Sequence, residues 1–520
     1  MIGRPAAGRA ATSVAGLAVA VVFALPFAYL AWRAGSAPGE VWAALTSDLT
    51  WGPLWRTVQL TVIVTVAATA LGVALAWLVQ RTDLPGRSLW RVVVALPLVI
   101  PSFVAGAAWM FSWQPGGVVE EVLGVAVLSD PGGLLGASVV LTLVSYPYVY
   151  LPVAARLISL PPSLEEGARL LGRSPREVFR AVVLPQCIPA IAAGSLFVAL
   201  YSVSDFGAVQ FVRFDTLTRR LFDSQLRRPE VATAMGVLLA ALALLITVGE
   251  RWVVRRSPPT AGVGGKVALR MSLGKWRLPA LAFVALATLL ALAGPIGVMA
   301  WWARLVASDT VARSVRTDLL GPSVASVQAG VTAGIVAVIV VLPLAVLTVR
   351  RRQRAAGVAG ALVVAGFALP GVVTALAVVL ATRGTSLYLS FAVLIGAYVL
   401  HFGGQALRSA QAAVGAVPSR LDEAARLLGV PLWRRLLRIE LPLMLPGLAA
   451  GGGLVMMSVL KELPITLILR PTGFDTLPLR ISNTYDQVLR VDTGITSLIL
   501  IGLSAVLTWL LVIRRLEHLR

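Results

Sequence analysis

Residues 164–185 read LEEGARLLGRSPREVFRAVVLP, and residues 421–442 read LDEAARLLGVPLWRRLLRIELP. Glu166, Ala168, Arg169, Leu170, Leu171, Gly172, Leu184 and Pro185 recur 257 positions later as Glu423, Ala425, Arg426, Leu427, Leu428, Gly429, Leu441 and Pro442. Both stretches are charged and amphipathic in a chain that is otherwise mostly apolar. A duplicated polar device in a duplicated chain points to two matched docking points for a two-fold partner.

The surroundings of the two stretches set the fold class. Of the 520 residues, 58% are hydrophobic and 13% charged, where soluble domains carry about 25% charged residues. The net charge of +21 would suit a polyanion. The basic residues, however, sit in short runs between apolar segments, which is a topological pattern, so no nucleic-acid partner is expected. Cys187 is the single cysteine and His401 and His518 the two histidines. That set excludes an intrachain disulfide and a Cys/His metal site, and no cofactor is expected. Arg4 and Arg9 precede the apolar run 13–32. At about 20 residues this run is long enough to span a bilayer, and it reads as a retained first helix.

Twelve apolar segments approach spanning length, near 13–32, 57–79, 92–113, 134–156, 187–208 and 231–249, then 278–302, 326–349, 357–381, 387–409, 443–464 and 495–513. The expected fold is therefore an all-α polytopic membrane protein of two parallel six-helix repeats. With the N-terminus in the cytoplasm, thirty of the 45 lysines and arginines fall on the cytoplasmic side and fourteen on the other. By the positive-inside rule both duplicated stretches, and both termini, are then cytoplasmic. The halves match elsewhere too. Val58-Gln59 recurs as Val327-Gln328, and Ile100-Pro101 aligns with Leu369-Pro370, at an offset of 269. The offset then falls to 257, which places 12 extra residues of the first half in the external loop 114–133. Phe214-Asp215-Thr216-Leu217 reappears as Phe474-Asp475-Thr476-Leu477. The division is a first half over 1–249, a basic cytoplasmic linker over 250–277 and a second half over 278–520.

Local signals shape each stretch as helix, glycine turn, helix. Ser163 stands three residues before Glu166, a capping box; Ser174, Pro175 and Glu177 make a second start signal. Gly172 lies between them, where the first helix must end. Leu164, Ala168 and Leu171 are expected on one face of the first helix, and Val178, Phe179 and Val182 on one face of the second. In the second copy Ser419 and Asp422 replace the first capping pair, and Pro431 stands where Ser174 does. The competing reading is an amphipathic hairpin lying on its own membrane surface. Such an anchor needs an apolar face but no repeated Glu–Arg–Gly pattern.

The pattern Glu-Ala-Ala, three residues, Gly, followed by Leu-Pro, resembles the EAA loop of ATP-binding-cassette importer permeases. Glu423-Ala424-Ala425 with Gly429 matches outright; the first copy reads Glu166-Gly167-Ala168 with Gly172. The resemblance covers nearly the whole chain and implies a type I-like permease in a bacterial inner or plasma membrane. In that family each loop, here 163–185 and 419–442, is a coupling helix seated in a cytoplasmic ATPase. The implied coupling residues are Glu165, Glu166, Gly167, Ala168 and Gly172, with Asp422, Glu423, Ala424, Ala425 and Gly429. The implied partners are two ATP-binding-cassette subunits, an extracytoplasmic substrate-binding protein and the lipid bilayer. KELPITLILRPTGFDTLPLR, residues 461–480, and Ser204-Asp205-Phe206-Gly207 resemble fused ferric-iron permeases, so ferric iron is the expected cargo. Thiamine and phosphonate permeases remain alternatives. An ion-gradient-driven secondary transporter is the alternative from another class.

Asp205 aligns with Glu462, which Lys461 precedes. Ionisable groups at membrane depth are costly and often functional, so these three either line the pathway or a gate, or snorkel to the outer interface. Tyr146, Tyr148 and Tyr150 do not share one helix face and read as packing residues, as does His401. Asp215 and Asp475 read as caps of external turns or as contacts for a binding protein. No phosphate-binding loop is present: Gly264-Gly265-Lys266 has Thr260 and Val267 at the required Gly and Ser/Thr positions. With no catalytic residues evident, the chain is expected to be a transport component and not an enzyme.

Overall fold

Peptide groups that enter hydrocarbon must find partners within the chain, so apolar segments of about 20 residues fold as helices. The computed structural model describes residues 5–124, 131–225, 227–256, 271–304, 309–350 and 354–510, and these are helical with no strand among them. Ten helices are long and apolar enough to cross a membrane, and two bent pairs bring the number up to 12. Most of the linker, 257–270, and part of the loop 114–133 lie outside the described residues.

Two expected straight spans are broken. The segment expected over 92–113 is a pair, Arg87–Val99 and Ser102–Trp113, bent by 90°; that over 357–381 is Ala356–Ala368 and Gly371–Thr382, bent by 110°. The breaks fall at Ile100-Pro101 and Leu369-Pro370, the matched pairs of the repeat. Proline lacks the amide that would continue the helix, and its ring pushes the preceding residue to extended backbone. Ile100 accordingly has φ −82°, ψ 122°. The spans expected over 187–208 and 443–464 also end early, at Ser204 and Leu460, each followed by a short helix, Gly207–Phe211 and Pro464–Leu469.

The second span of each half is longer than a bilayer needs. Asp48–Arg81 has 34 residues and Leu319–Arg350 has 32, or about 50 Å at 1.5 Å per residue, against a hydrocarbon core of about 30 Å. Their last residues, Arg81 and Arg350, are matched at the offset of 269.

The chain forms two compact units that do not follow chain order. One comprises Met1–Ala43, Gln225–Val237 and Leu305–Arg520; the other Ala44–Ser224 and Leu238–Arg304. Each unit therefore includes the first span of the other half-sequence. In the former unit the Phe23 ring is buried against helices of the second half. Any Cβ at Gly403 would overlap that ring, so the close approach requires glycine there. In the latter unit Trp302 is buried with its ring 6.0 Å from that of Phe111. The approach to this span is fixed by a short parallel bridge. Met271 donates its amide to the Arg81 carbonyl at 2.8 Å, and Leu273 donates to Asp83 Oδ1 at 2.8 Å.

Candidate functional site: the paired loops

The first loop begins with the helix Pro162–Leu170. Pro162, not Ser163, starts it: its fixed φ suits a first helical turn, and no side-chain cap is made at Pro161. The Ser163–Glu166 capping box is therefore not formed. Gly172 ends the helix at φ +79°. The Gly172 amide donates to the Arg169 carbonyl at 2.9 Å, and the Arg173 amide to Ala168 at 3.2 Å. This is a Schellman stop, and glycine reaches its left-handed conformation without Cβ strain. The second loop repeats it. Helix Ser419–Leu427 ends at Gly429, φ +69°, with the Val430 amide on the Ala425 carbonyl at 3.0 Å.

The second start signal of the first loop forms as expected. Glu177 Oε2 accepts from the Ser174 amide at 2.7 Å and from its hydroxyl at 2.9 Å, and Ser174 Oγ accepts from the Glu177 amide at 3.4 Å. The backbone and hydroxyl hydrogen bonds from Ser174 hold the Glu177 carboxyl below the usual carboxylate range. A depressed pKa makes this cap a high-pH feature, lost as pH falls through the folded value. Each loop then joins its exit span through one π-turn, at Phe179–Val183 and Leu436–Glu440, again 257 positions apart. Such turns interrupt the regular ladder and often occur at functional sites.

Burial separates the loop residues into two faces. Pro162, Glu165 and Ala168 form the buried face of the first helix, and Ala425 is buried in the second. Leu164 and Leu171, expected beside Ala168, are exposed instead; Leu171 lies beyond the last regular turn. The matched pairs Leu170–Leu171 and Leu427–Leu428 are bare: 87% and 83% exposed in one loop, 89% and 81% in the other. Glu166, Gly172, Glu423, Ala424 and Gly429 are exposed beside them, and Gly167 is half-buried. The side chain of Asp422 lies outside the described residues. Val178 is buried as expected, and the Phe179 ring meets Trp77 edge-on at 4.6 Å.

The roots of the loops carry ion pairs that sequence reasoning missed, and Glu165, expected among the coupling residues, is buried in one of them. Arg81 Nη2 lies 2.7 Å from Glu165 Oε1, both side chains buried. In the second half Arg350 Nη1 lies 2.7 Å from Glu440 Oε2, and Arg435 Nε is 3.5 Å from Glu440 Oε1. The signal was present as Arg81 and Arg350 at one repeat offset, but their partners lie far along the chain.

Asp205 and Glu462 each accept a backbone hydrogen bond. Asp205 Oδ1 accepts from the Ala208 amide at 2.8 Å, and Glu462 Oε1 from the Ile465 amide at 3.1 Å. Each carboxylate thus caps the short helix that follows its span. Lys461 is half-buried beside Glu462. Asp215 and Asp475 do not cap their turns. Asp215 pairs with Arg56 and Arg220, both at 2.8 Å, and Asp475 with Arg470 at 2.6 Å. Tyr146 and Tyr150 donate to the carbonyls of Val94 and Arg91, at 2.8 and 3.2 Å, while Tyr148 packs on Phe197 and Tyr201. His401 packs between Phe367 and Phe402. No group of three or more His, Cys, Asp or Glu capable of holding a metal occurs among the described residues.

A family model described as "Binding-protein-dependent transport system inner membrane component" matches residues 68–257 and again 330–518. The chain is 30% identical over 472 residues to the Fe(3+)-transport system permease protein FbpB 2 of Haemophilus influenzae, covering 88% of this chain and 89% of that one. It is 31% identical over 183 residues to the sulfate transport system permease protein CysT of Salmonella typhimurium, covering 34% of this chain and 66% of that one. To the molybdenum transport system permease protein ModB of Escherichia coli it is 29% identical over 227 residues. That match spans 40% of this chain but 97% of ModB, so one copy of the repeat corresponds to nearly a whole half-length relative.

Proposed function

Because the chain belongs to the binding-protein-dependent transport system inner membrane component family, we propose that it supplies both membrane halves of an ATP-binding-cassette importer and seats one ATPase subunit on each loop. The observation that carries this reading is the repeated pair of bare leucines, each presented on a short helix with a glycine stop. Two adjacent leucines exposed beyond 80% on both loops are costly to leave in water, at about 1.5–3 kcal/mol per side chain. A cleft on a partner relieves that cost. Glu166 and Glu423 beside them supply charge at the rim, where it sets orientation.

Both loops face the cytoplasm in this reading, in line with the arginine and lysine distribution. A binding protein delivers cargo on the other side, and closure of the ATPase pair moves the spans through the loops. Hydrolysis belongs to the separate subunits.

The cargo is ferric iron. Support comes from the Fe(3+)-named relative, whose similarity extends through both halves of this chain. A second reading, an oxyanion such as sulfate or molybdate, draws on the shorter relatives. Uptake of radiolabelled Fe(III), sulfate and molybdate by a strain lacking the gene, with and without complementation, tests them. Restored iron uptake alone supports the first reading; restored sulfate or molybdate uptake replaces it.

A further inference from the structure

Among the described side chains the matched arginines of the two halves have different partners; the side chain of Asp422, matched to Glu165, lies outside them. Arg81 and Arg350 end the matched long spans Asp48–Arg81 and Leu319–Arg350. Arg81 grips Glu165, inside the exposed-tip helix Pro162–Leu170, in its first turn. Arg350 grips Glu440, the last residue of the π-turn at the loop's far root, which Arg435 also approaches. The first-half residues matched to Arg435 and Glu440 are Val178 and Val183, both buried. The root that is ionic in the second half is thus apolar in the first. Arg81 has no carboxylate at that position to hold.

We propose that Arg81 and Arg350 are positioning residues for ATP coupling, and that they act unequally. Arg81 ties its span directly to the helix that meets the ATPase, whereas Arg350 ties its span to the loop root, where Arg435 shares the carboxylate. This rests on the functional reading above. Breaking a buried ion pair leaves an uncompensated charge and frees the elements it joined. Loss of Arg81 removes the charged tie between tip helix and span. Loss of Arg350 leaves Glu440 paired with Arg435. The coupling changes accordingly: about tenfold for Arg81, within the 5–150-fold usual for coupled sites, and about twofold for Arg350.

The test uses the full chain co-purified with its ATPase and reconstituted in liposomes. Cys187, the single native cysteine, is buried, so an environment-sensitive fluorophore can be placed at Leu49→Cys or Leu320→Cys. Leu49 and Leu320 are exposed and lie near the starts of the two long spans. The readout is the emission shift on trapping the ATPase with ATP and vanadate, which needs no cargo. Arg81→Met is expected to reduce the shift at position 49 about tenfold, with the ATPase still bound. Arg350→Met is expected to keep at least half of the shift at position 320. The swapped variant Arg81→Glu/Glu165→Arg is expected to restore the shift at 49, which a merely structural role for Arg81 would not require. If Arg81→Met does not assemble, Arg81→Gln/Glu165→Gln, which removes both charges together, takes its place with the same two outcomes. A full-size shift at 49 in the assembled variant, or equal losses from Arg81→Met and Arg350→Met, overturns the inference. Failure of the unsubstituted chain to bind any ATPase would instead overturn the functional reading.

Discussion

Thr57 Oγ1 accepts a hydrogen bond from the amide of Leu217 at 2.9 Å, 160 residues along the chain. The repeat reproduces it: Ser326 Oγ accepts from the amide of Leu477 at 2.8 Å. Both amides open the helices that follow Phe-Asp-Thr, and all four residues are buried. The duplicated sequence therefore encodes a duplicated tertiary contact between the second span and the segment after the fifth.

Thr57→Val keeps the shape and removes the acceptor. A buried amide left unpaired costs about 1–3 kcal/mol, so the variant should unfold earlier by that amount in a detergent-denaturant titration. Thr57→Ser should match the unsubstituted chain, because the second half already uses serine at this site. Equal unfolding of Thr57→Val and Thr57→Ser would show that the bond carries no net stability.

Gly429 needs φ +69° and has open space where a Cβ would stand. The cost of a substitution there comes from backbone strain alone. Asparagine visits the left-handed region readily, whereas a β-branched residue does not. Gly429→Asn should keep transport within about twofold, the shift expected for a few tenths of a kcal/mol at a glycine-to-asparagine helix stop. Gly429→Val should disorder the stop, weaken ATPase retention on purification and lower transport severalfold. Equal retention by both variants would remove the glycine stop from the mechanism.

Gly167 lies inside the first loop helix, and a Cβ there meets nothing within 4 Å. Gly167→Ala restores the Glu-Ala-Ala form and should stabilise this helix by about 0.5–1 kcal/mol. Slower proteolytic cutting within 163–173, with transport retained, is the expected result. Faster cutting would mean that the glycine serves a bend in the working loop.

The exposed leucines give the sharpest surface prediction. Leu170→Ser/Leu171→Ser, and separately Leu427→Ser/Leu428→Ser, should leave the unfolding midpoint unchanged, since these side chains make little contact within the chain. Each should lower the affinity of its own loop for the ATPase by at least about tenfold, the equivalent of roughly 1.4 kcal/mol, so that one of the two subunits is lost on purification. Unchanged co-purification would favour the membrane-surface hairpin.

Much of this site could be read in the chain. Helix, glycine stop and second start at Ser174–Glu177 follow from local rules, and each forms. Elements whose cause is local were legible; those whose cause is tertiary were not. Ser163 loses its capping role because Pro162, one residue earlier, already fits the first turn. Ile100-Pro101 and Leu369-Pro370 stood out as matched pairs, but hydropathy runs unbroken through both, so the 90° and 110° bends were hidden behind apolar continuity. The exchange of first spans depends on Phe23 meeting Gly403, a contact no periodicity reports. Asp205 and Glu462 stood out as ionisable groups in an apolar neighbourhood, which is all that a sequence shows of burial. Their use as helix caps depends on where the span breaks.

The account stands on two equivalent loop tips each holding an ATPase. The native mass of the detergent-purified complex, co-expressed with its ATPase, measures this directly. The mass should equal one copy of this chain plus two ATPase subunits, falling to one after Leu427→Ser/Leu428→Ser. A mass corresponding to this chain alone, or two ATPase subunits retained after the tip of either loop has been altered, would contradict it.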